Sequence, residues 1–432
     1  MNQALVRLPA FIRTVFGALP LFFFLFATPA AANTYYVSQR GKDSNSCAMA
    51  KSTTLSNQKQ SISAGVSCLA PGDTLYIHGG TYTGNYNGID SQRFRIKSGT
   101  SWSSAITVAG YSGETVVLVP PDGLSGIRLT TGAPAYLIFQ DFIIDMSNQT
   151  TVGGAGAPGV YLSSGANHNR FQRLEVKNNT ANGFAFSHAN ANSPFNEVLN
   201  CSVHDNGGPG INTGYGFYIT VSDTLLDGND VYNNAGYGFH LYGFAGDTPY
   251  NNRNVVRNNR IHNNGKNGGT NYGIVVAVGS DNQVYNNLIY GNRGGVQVYT
   301  ESQATGVYNN TIYANQPYDG ISMQYYSSAP TVRNNIVFGN GTPIIDYGGT
   351  GTPTVDHNLT SDPSFVNAAA ADFHLKAGSA AQDTGIAVAT VTTDFSGLPR
   401  PQGLGYDIGA FEIGQSVPAP SMVRNVRATP VQ

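Results

Sequence analysis

Between residues 171 and 340 an apolar anchor recurs seven times, at Val176, Val203, Val231, Ile261, Ile289, Ile312 and Val337, in steps of 27, 28, 30, 28, 23 and 25 residues. Five positions before each anchor stands a second apolar residue: Phe171, Val198, Leu226, Val256, Val284, Val307 and Val332. Three positions after each anchor stands an asparagine, without exception: Asn179, Asn206, Asn234, Asn264, Asn292, Asn315 and Asn340. Two positions before it the series reads Leu174, Cys201, Asn229, Asn259, Asn287, Asn310 and Asn335, which makes Cys201 a repeat position, inward and inert. A sustained period of this length marks a repeat architecture.

Each unit then passes through a variable stretch to a glycine and a second alternating run. These runs are Gly183-Phe184-Ala185-Phe186, Gly216-Phe217-Tyr218-Ile219, Gly238-Phe239-His240-Leu241, Gly273-Ile274-Val275-Val276, Gly295-Val296-Gln297-Val298 and Gly320-Ile321-Ser322-Met323. Alternation with period two, in β-branched and aromatic residues, predicts strands with one face inside. The steps are short for strand–helix–strand units, helical period is absent, and so is the leucine framework of a leucine-rich repeat. The pattern predicts an all-β chain of strand–turn–strand coils that stack like residue above like. The asparagines would then form a ladder at a bend, where their backbone tolerates left-handed angles and their amides bond from coil to coil. His204 and His262 fall into a column with Tyr232, Tyr290 and Tyr313, expected to be packing.

Outside the repeats, Tyr35-Tyr36-Val37-Ser38, Gly41-Lys42-Asp43-Ser44-Asn45, Pro71-Gly72-Asp73-Thr74 and Gly79-Gly80-Thr81-Tyr82 come first. Asp362-Pro363-Ser364-Phe365, Asp372-Phe373-His374-Leu375, Gly378-Ser379-Ala380, Asp383-Thr384-Gly385, Pro399-Arg400-Pro401 and Tyr406-Asp407-Ile408-Gly409-Ala410-Phe411-Glu412 come last. With these ends, the coils resemble the right-handed parallel β-helix repeats of pectate-lyase-like proteins, and the last segment resembles the close of the "choice-of-anchor" β-helix proteins. The resemblance implies a right-handed, single-stranded parallel β-helix, a solenoid with a cap at each end. Open ends of a solenoid expose core and strand edges, so caps are expected on physical grounds too. The expected division is 33–110 for the N-terminal cap and first coils, 111–360 for the coils, 361–414 for the segment covering the last coil, and 415–432 for a flexible tail.

Residues 1–32 read as an export signal: Arg7 and Arg13, an apolar stretch from Val15 to Phe26, and Ala30-Ala31-Ala32 as the cleavage site. The stretch falls short of the ~20 residues a membrane span needs, and none follows later. A secreted chain, periplasmic or extracellular, is expected. Cys47 and Cys68, 21 positions apart, can bridge in such a compartment, closing a loop worth roughly 3 kcal/mol. Charged residues are 11 % of the chain and the net charge is −2, which gives nucleic acid no basic surface. Tyrosine is common, at 25 residues, which suits a neutral or weakly charged partner, a polysaccharide or cell-surface glycan, bound by a monomer.

Long loops between Asn206 and Gly216, Asn264 and Gly273, His188 and Phe195, and Gly243 and Arg253 flank the outer face of the second runs. Reading down the coils, that face presents Ala185, Tyr218, His240, Val275, Gln297 and Ser322, and two residues on, Ser187, Thr220, Tyr242, Ala277, Tyr299 and Gln324. Rings pack on the apolar face of a pyranose while amides bond its hydroxyls. Hydrolysis needs two carboxyls roughly 5 to 9.5 Å apart. Asp205, Asp223, Asp227, Asp230, Asp247 and Glu301 form no such pair on this face. Lyase-type β-elimination beside a uronate needs a base, an acid and a cation. His240, Tyr242 and Tyr218 are the catalytic candidates. Gln297, Tyr299 and Gln324 are the binding candidates, with Arg253 or Lys266 to neutralise the carboxylate. The alternative is a non-catalytic glycan-binding or cell-surface structural β-helix. No metal ligands and no cofactor are expected, with calcium as the open alternative; the acidic calcium cluster of pectate-lyase-like enzymes is not recognisable.

Overall fold

The computed structural model describes residues 32–211, 213–243, 250–348 and 351–414. The export signal, except Ala32, the tail at 415–432 and Asp247 lie outside these. The described strands form three long parallel sheets of twelve, ten and ten strands and one antiparallel pair. Successive strands go to the first, second and third sheet in turn, so the chain winds as a right-handed parallel β-helix. One coil, for example, supplies Val255–Arg257, Arg260–His262 and Tyr272–Ser280.

The two apolar series are columns of the first and second sheets. Phe171, Val198, Leu226, Val256, Val284, Val307 and Val332 pair in register, as do the seven anchors from Val176 to Val337, and all are fully buried. In the third sheet Phe184, Phe217 and Phe239 stack inside at 4.9 and 4.6 Å between ring centres. The corner from the first sheet to the second takes two residues, and the longer stretch from the second to the third opens with a similar pair. The first of the pair is left-handed, as at Asn258 and Asn263, and the second points its amide inward. Asn206, Asn234, Asn264, Asn292, Asn315 and Asn340 bond amide to amide at 2.9–3.0 Å, and Asn229 through Asn358 do the same at the other corner. Cys201 takes its place in that second column, buried, its thiol pushed up to about 12 by burial. A further column, Asn169 and Asn196, then Asn254 and Asn282 after Thr224, lines the third corner and was not read from the sequence.

At the N-terminal end the short helix Ile62–Val66 lays Ile62 and Val66 into the core beside Val37 and Leu75, and Cys47 is bonded to Cys68 next to it. The C-terminal segment behaves differently from expectation. Phe365, Phe373, Leu375, Ile408 and Phe411 pack on Leu288, Ile336, Tyr290, Tyr313 and Phe338, on the outer face of the second sheet. The left-handed corner residues Asn286 and Asn334 donate to its carbonyls at Thr393 and Ile386, both at 2.7 Å. Val355, in the last rung of the inward column, stays 44 % exposed. The segment therefore covers a flank, because the lower coils turn apolar and aromatic side chains outward there. Above it, His204, Tyr232, His262 and Tyr290 stack within 7° of parallel, as packing. No helix among the described residues is long and apolar enough to cross a membrane.

Candidate functional site

The third sheet is built so that its glycines free the outer face. A Cβ on Gly216 would stand 2.6 Å from the Val231 side chain and 2.7 Å from the Gly238 carbonyl of the next coil. The glycine therefore takes the crowded inner corner, and the residues on either side of the run turn outward. Ala185, Tyr218, His240, Val275, Gln297 and Ser322 pair in register as one outward column. Tyr242, Ala277 and Tyr299 pair as a second. The residue before each glycine makes a third: Tyr215, Tyr237, Tyr272, Gly294 and Asp319. That column was missed in the sequence, although tyrosine before glycine in three successive coils was a signal for it.

The three columns converge on His240. Its ring centre lies 4.9 Å from Tyr215, 4.9 Å from Tyr237, 5.3 Å from Tyr218 and 5.2 Å from Tyr242. The residue is half-buried, yet its Nδ1 is closed off from solvent and has no partner. Burial pushes the imidazole down to about 3, so the ring is neutral in all but strong acid. Burial, with Tyr242 adding to it, pushes the Tyr218 phenol up to about 12, and burial raises Tyr215 and Tyr237 as well. The site is therefore a neutral ring beside the Tyr215, Tyr218 and Tyr237 phenols, which burial holds in their protonated form.

A folded-state value below the ordinary ~6.5 means that His240 contributes stability above that pH and loses it as the pH falls toward the folded value. Its ring signals in proton NMR are expected to hold position from pH about 8 to about 4. His240→Phe should flatten the fall of thermal stability between pH about 6.5 and 4. A titration near 6.5 would overturn the enclosed setting.

Tyr242 and Tyr299 pack with Tyr237, Tyr272 and Tyr318 over Val275 and Ala277. Gln297 is buried in the same column, and Gln324 donates to Ser322 Oγ at 3.2 Å. Arg253 and Lys266 are not brought to the histidine. Arg253 grips Asp223 with two bonds of 2.7 Å at the corner after the sheet, and Lys266 reaches Asp205 at 3.1 Å, beside His204. The lysine or arginine standing in the outward column is Arg128, four rungs from His240 through Tyr161, Ala185 and Tyr218. At the rung spacing that is ~19 Å. Near this part of the face the buried carboxylate is Asp319, also missed in the sequence; Asp90 pairs with Arg128 at the far end of the column and caps the helix Ser91–Phe94. Calcium takes six to eight oxygens. A lone carboxylate does not fit it, and among the described residues no three acidic, histidine or cysteine side chains gather to hold a metal.

Residues 211–360 match the family model described as a right handed beta helix region. No curated protein matches the sequence. Among solved structures the chain is similar to the pectate lyase Pel9A, at 19 % identity over 89 % of this chain and 97 % of that one, with a TM-score of 0.59. It is also similar to a rhamnogalacturonan lyase, at 18 % identity over 78 % and 91 %, with a TM-score of 0.54. At these identities the likeness is one of fold.

Proposed function

We propose that this right-handed β-helix binds a polysaccharide along the outer face of its third sheet, outside the cytosol. One observation carries the reading: four tyrosines from three outward columns surround His240 on a face edged by loops. Such rings offer apolar faces to pyranoses and hydroxyls to their oxygens, at little cost in side-chain freedom. Sparse charge suits a partner held by stacking and neutral hydrogen bonds. The bonded Cys47 and Cys68 suit an oxidising compartment, and the similar folds of a pectate lyase and a rhamnogalacturonan lyase support a glycan as the ligand.

Calorimetric titration with an array of soluble polysaccharides tests this. At least one should bind, and Tyr218→Ala with Tyr237→Ala should weaken it about tenfold or more. Silence across the array, or unchanged affinity in the double variant, removes the groove.

A second reading, lyase-type β-elimination on a uronate unit, is favoured by the neutral imidazole beside the protonated phenols of Tyr215, Tyr218 and Tyr237. His240 would take the proton beside the carboxylate. Tyr218 or Tyr242 would protonate the departing glycosidic oxygen as the double bond forms. Binding is the better supported of the two, because Arg253 and Lys266 are paired with carboxylates and Arg128 stands far away. Ultraviolet absorbance of an unsaturated product, abolished in His240→Ala while binding persists, would establish the elimination.

A further inference from the structure

Three rungs below His240, ~14 Å along the sheet, the groove changes character. Asp319 is 7 % exposed, and its Oδ2 accepts from the hydroxyls of Tyr272 and Tyr347, each at 3.2 Å. Ser322 Oγ donates to the Tyr272 hydroxyl at 3.4 Å, and Gln324 stands behind Ser322. The second carboxylate oxygen, Oδ1, accepts no bond from the described residues and is not sealed from solvent. An almost buried carboxylate with one oxygen satisfied and the other left open is costly unless something donates to it.

The surroundings point to what donates. Tyr325, Tyr326 and Tyr347 are 58, 65 and 54 % exposed, among the most exposed large side chains described. Tyr325 and Tyr326 also hold left-handed backbone angles, φ 37° and 60°, which bulky side chains adopt only at a cost. Among the described residues no cation pairs with Asp319; Arg293 lies over the Tyr318 ring and donates to the Gly269 carbonyl.

We propose that Asp319 Oδ1 accepts hydroxyls of an uncharged sugar unit, with the exposed ring of Tyr347, bonded to the same carboxylate, beside it and Tyr325 against Tyr299 in the neighbouring coil, so that this end of the groove is a neutral-pyranose subsite. A uronate there would bring a second carboxylate against the first in a poorly solvated place, with no cation between them. The inference rests on the glycan reading above and assigns its sugar class at this end.

The test is calorimetric titration of the wild-type protein, Asp319→Asn and Tyr218→Ala with cello-, xylo- and mannohexaose, hexagalacturonate and a chitosan hexamer. A neutral hexamer should bind at least about tenfold more tightly than hexagalacturonate. Asp319→Asn, which removes the charge from the acceptor, should weaken that neutral hexamer about tenfold. Unchanged neutral affinity in Asp319→Asn, with loss in Tyr218→Ala, would leave the glycan groove standing and end the subsite. Tightest binding by hexagalacturonate or the cationic chitosan hexamer would end it as well, and needs no variant to fold. Binding of none of the five would instead remove the glycan reading itself.

Discussion

Arg400→Met is expected to destabilise the C-terminal segment by about 3–5 kcal/mol. Arg400 Nη1 lies 2.6 Å from Glu412 Oε1, and both side chains are fully enclosed. The same guanidinium donates to the Asp407 and Gly409 carbonyls and reaches Asn286 Oδ1 at 3.3 Å, tying the segment to a coil more than a hundred residues earlier. Glu412 in turn accepts from the backbone of Asp407 and Gln402. Burial works against every charge here, lowering Arg400 and raising Glu412 and Asp407, so each ion depends on its partners. Removing the arginine alone leaves Glu412 buried and uncompensated. Amide hydrogen exchange should show protection lost across 365–413 while the coils above keep theirs. Arg400→Met combined with Glu412→Leu should cost less than Arg400→Met alone, since an apolar pair needs no compensation. A single variant within 1 kcal/mol of the parent would mean that the pair does not hold the segment in place.

That segment also shows where reading the sequence reached its limit. The coils were legible because their apolar columns and asparagines recur at offsets that survive insertions, from Val176 to Val337. Tyr218 and His240 were placed outward correctly, because alternation across a strand leaves one choice once the inward residues are known. The column of Tyr215, Tyr237, Tyr272 and Asp319 was lost because it precedes the glycine, in what reads as loop. Only the crowding at Gly216 shows that this residue must turn outward. Arg253 and Lys266 read as free cations. Their carboxylates, Asp223 and Asp205, stand one and two coils away, 30 and 61 residues back. The cap at 361–414 was assigned to the open end because ends need covering. In the fold the outward Tyr290, Tyr313 and Phe338 offer it a larger apolar partner, and the flank prevails.

Asn264→Leu is expected to cost about 3 kcal/mol or more, although leucine is close in size and more apolar. Asn264 Oδ1 accepts from both the backbone and the side-chain amide of Asn234, at 3.2 and 2.9 Å. Its Nδ2 donates to the Val231 carbonyl and to Asn292 Oδ1, at 2.9 and 3.0 Å. Leucine would leave those groups unpartnered in a dry corner, at about 1–3 kcal/mol for each that stays unsatisfied. The neighbouring Asn263 sets the scale. It holds φ at 55° and lies exposed, and one coil on, Gly291 occupies the same corner at φ 64°. Asn263→Gly should therefore change stability by no more than about 0.5 kcal/mol, because the left-handed angle is kept and the side-chain bond lost, to His262 Nδ1, is exposed to water. Denaturant midpoints of the two variants decide the matter. A large gap between adjacent asparagines assigns the cost to the inward ladder. Equal, small losses would show that the amides merely occupy the corner and that the apolar columns alone hold one coil to the next.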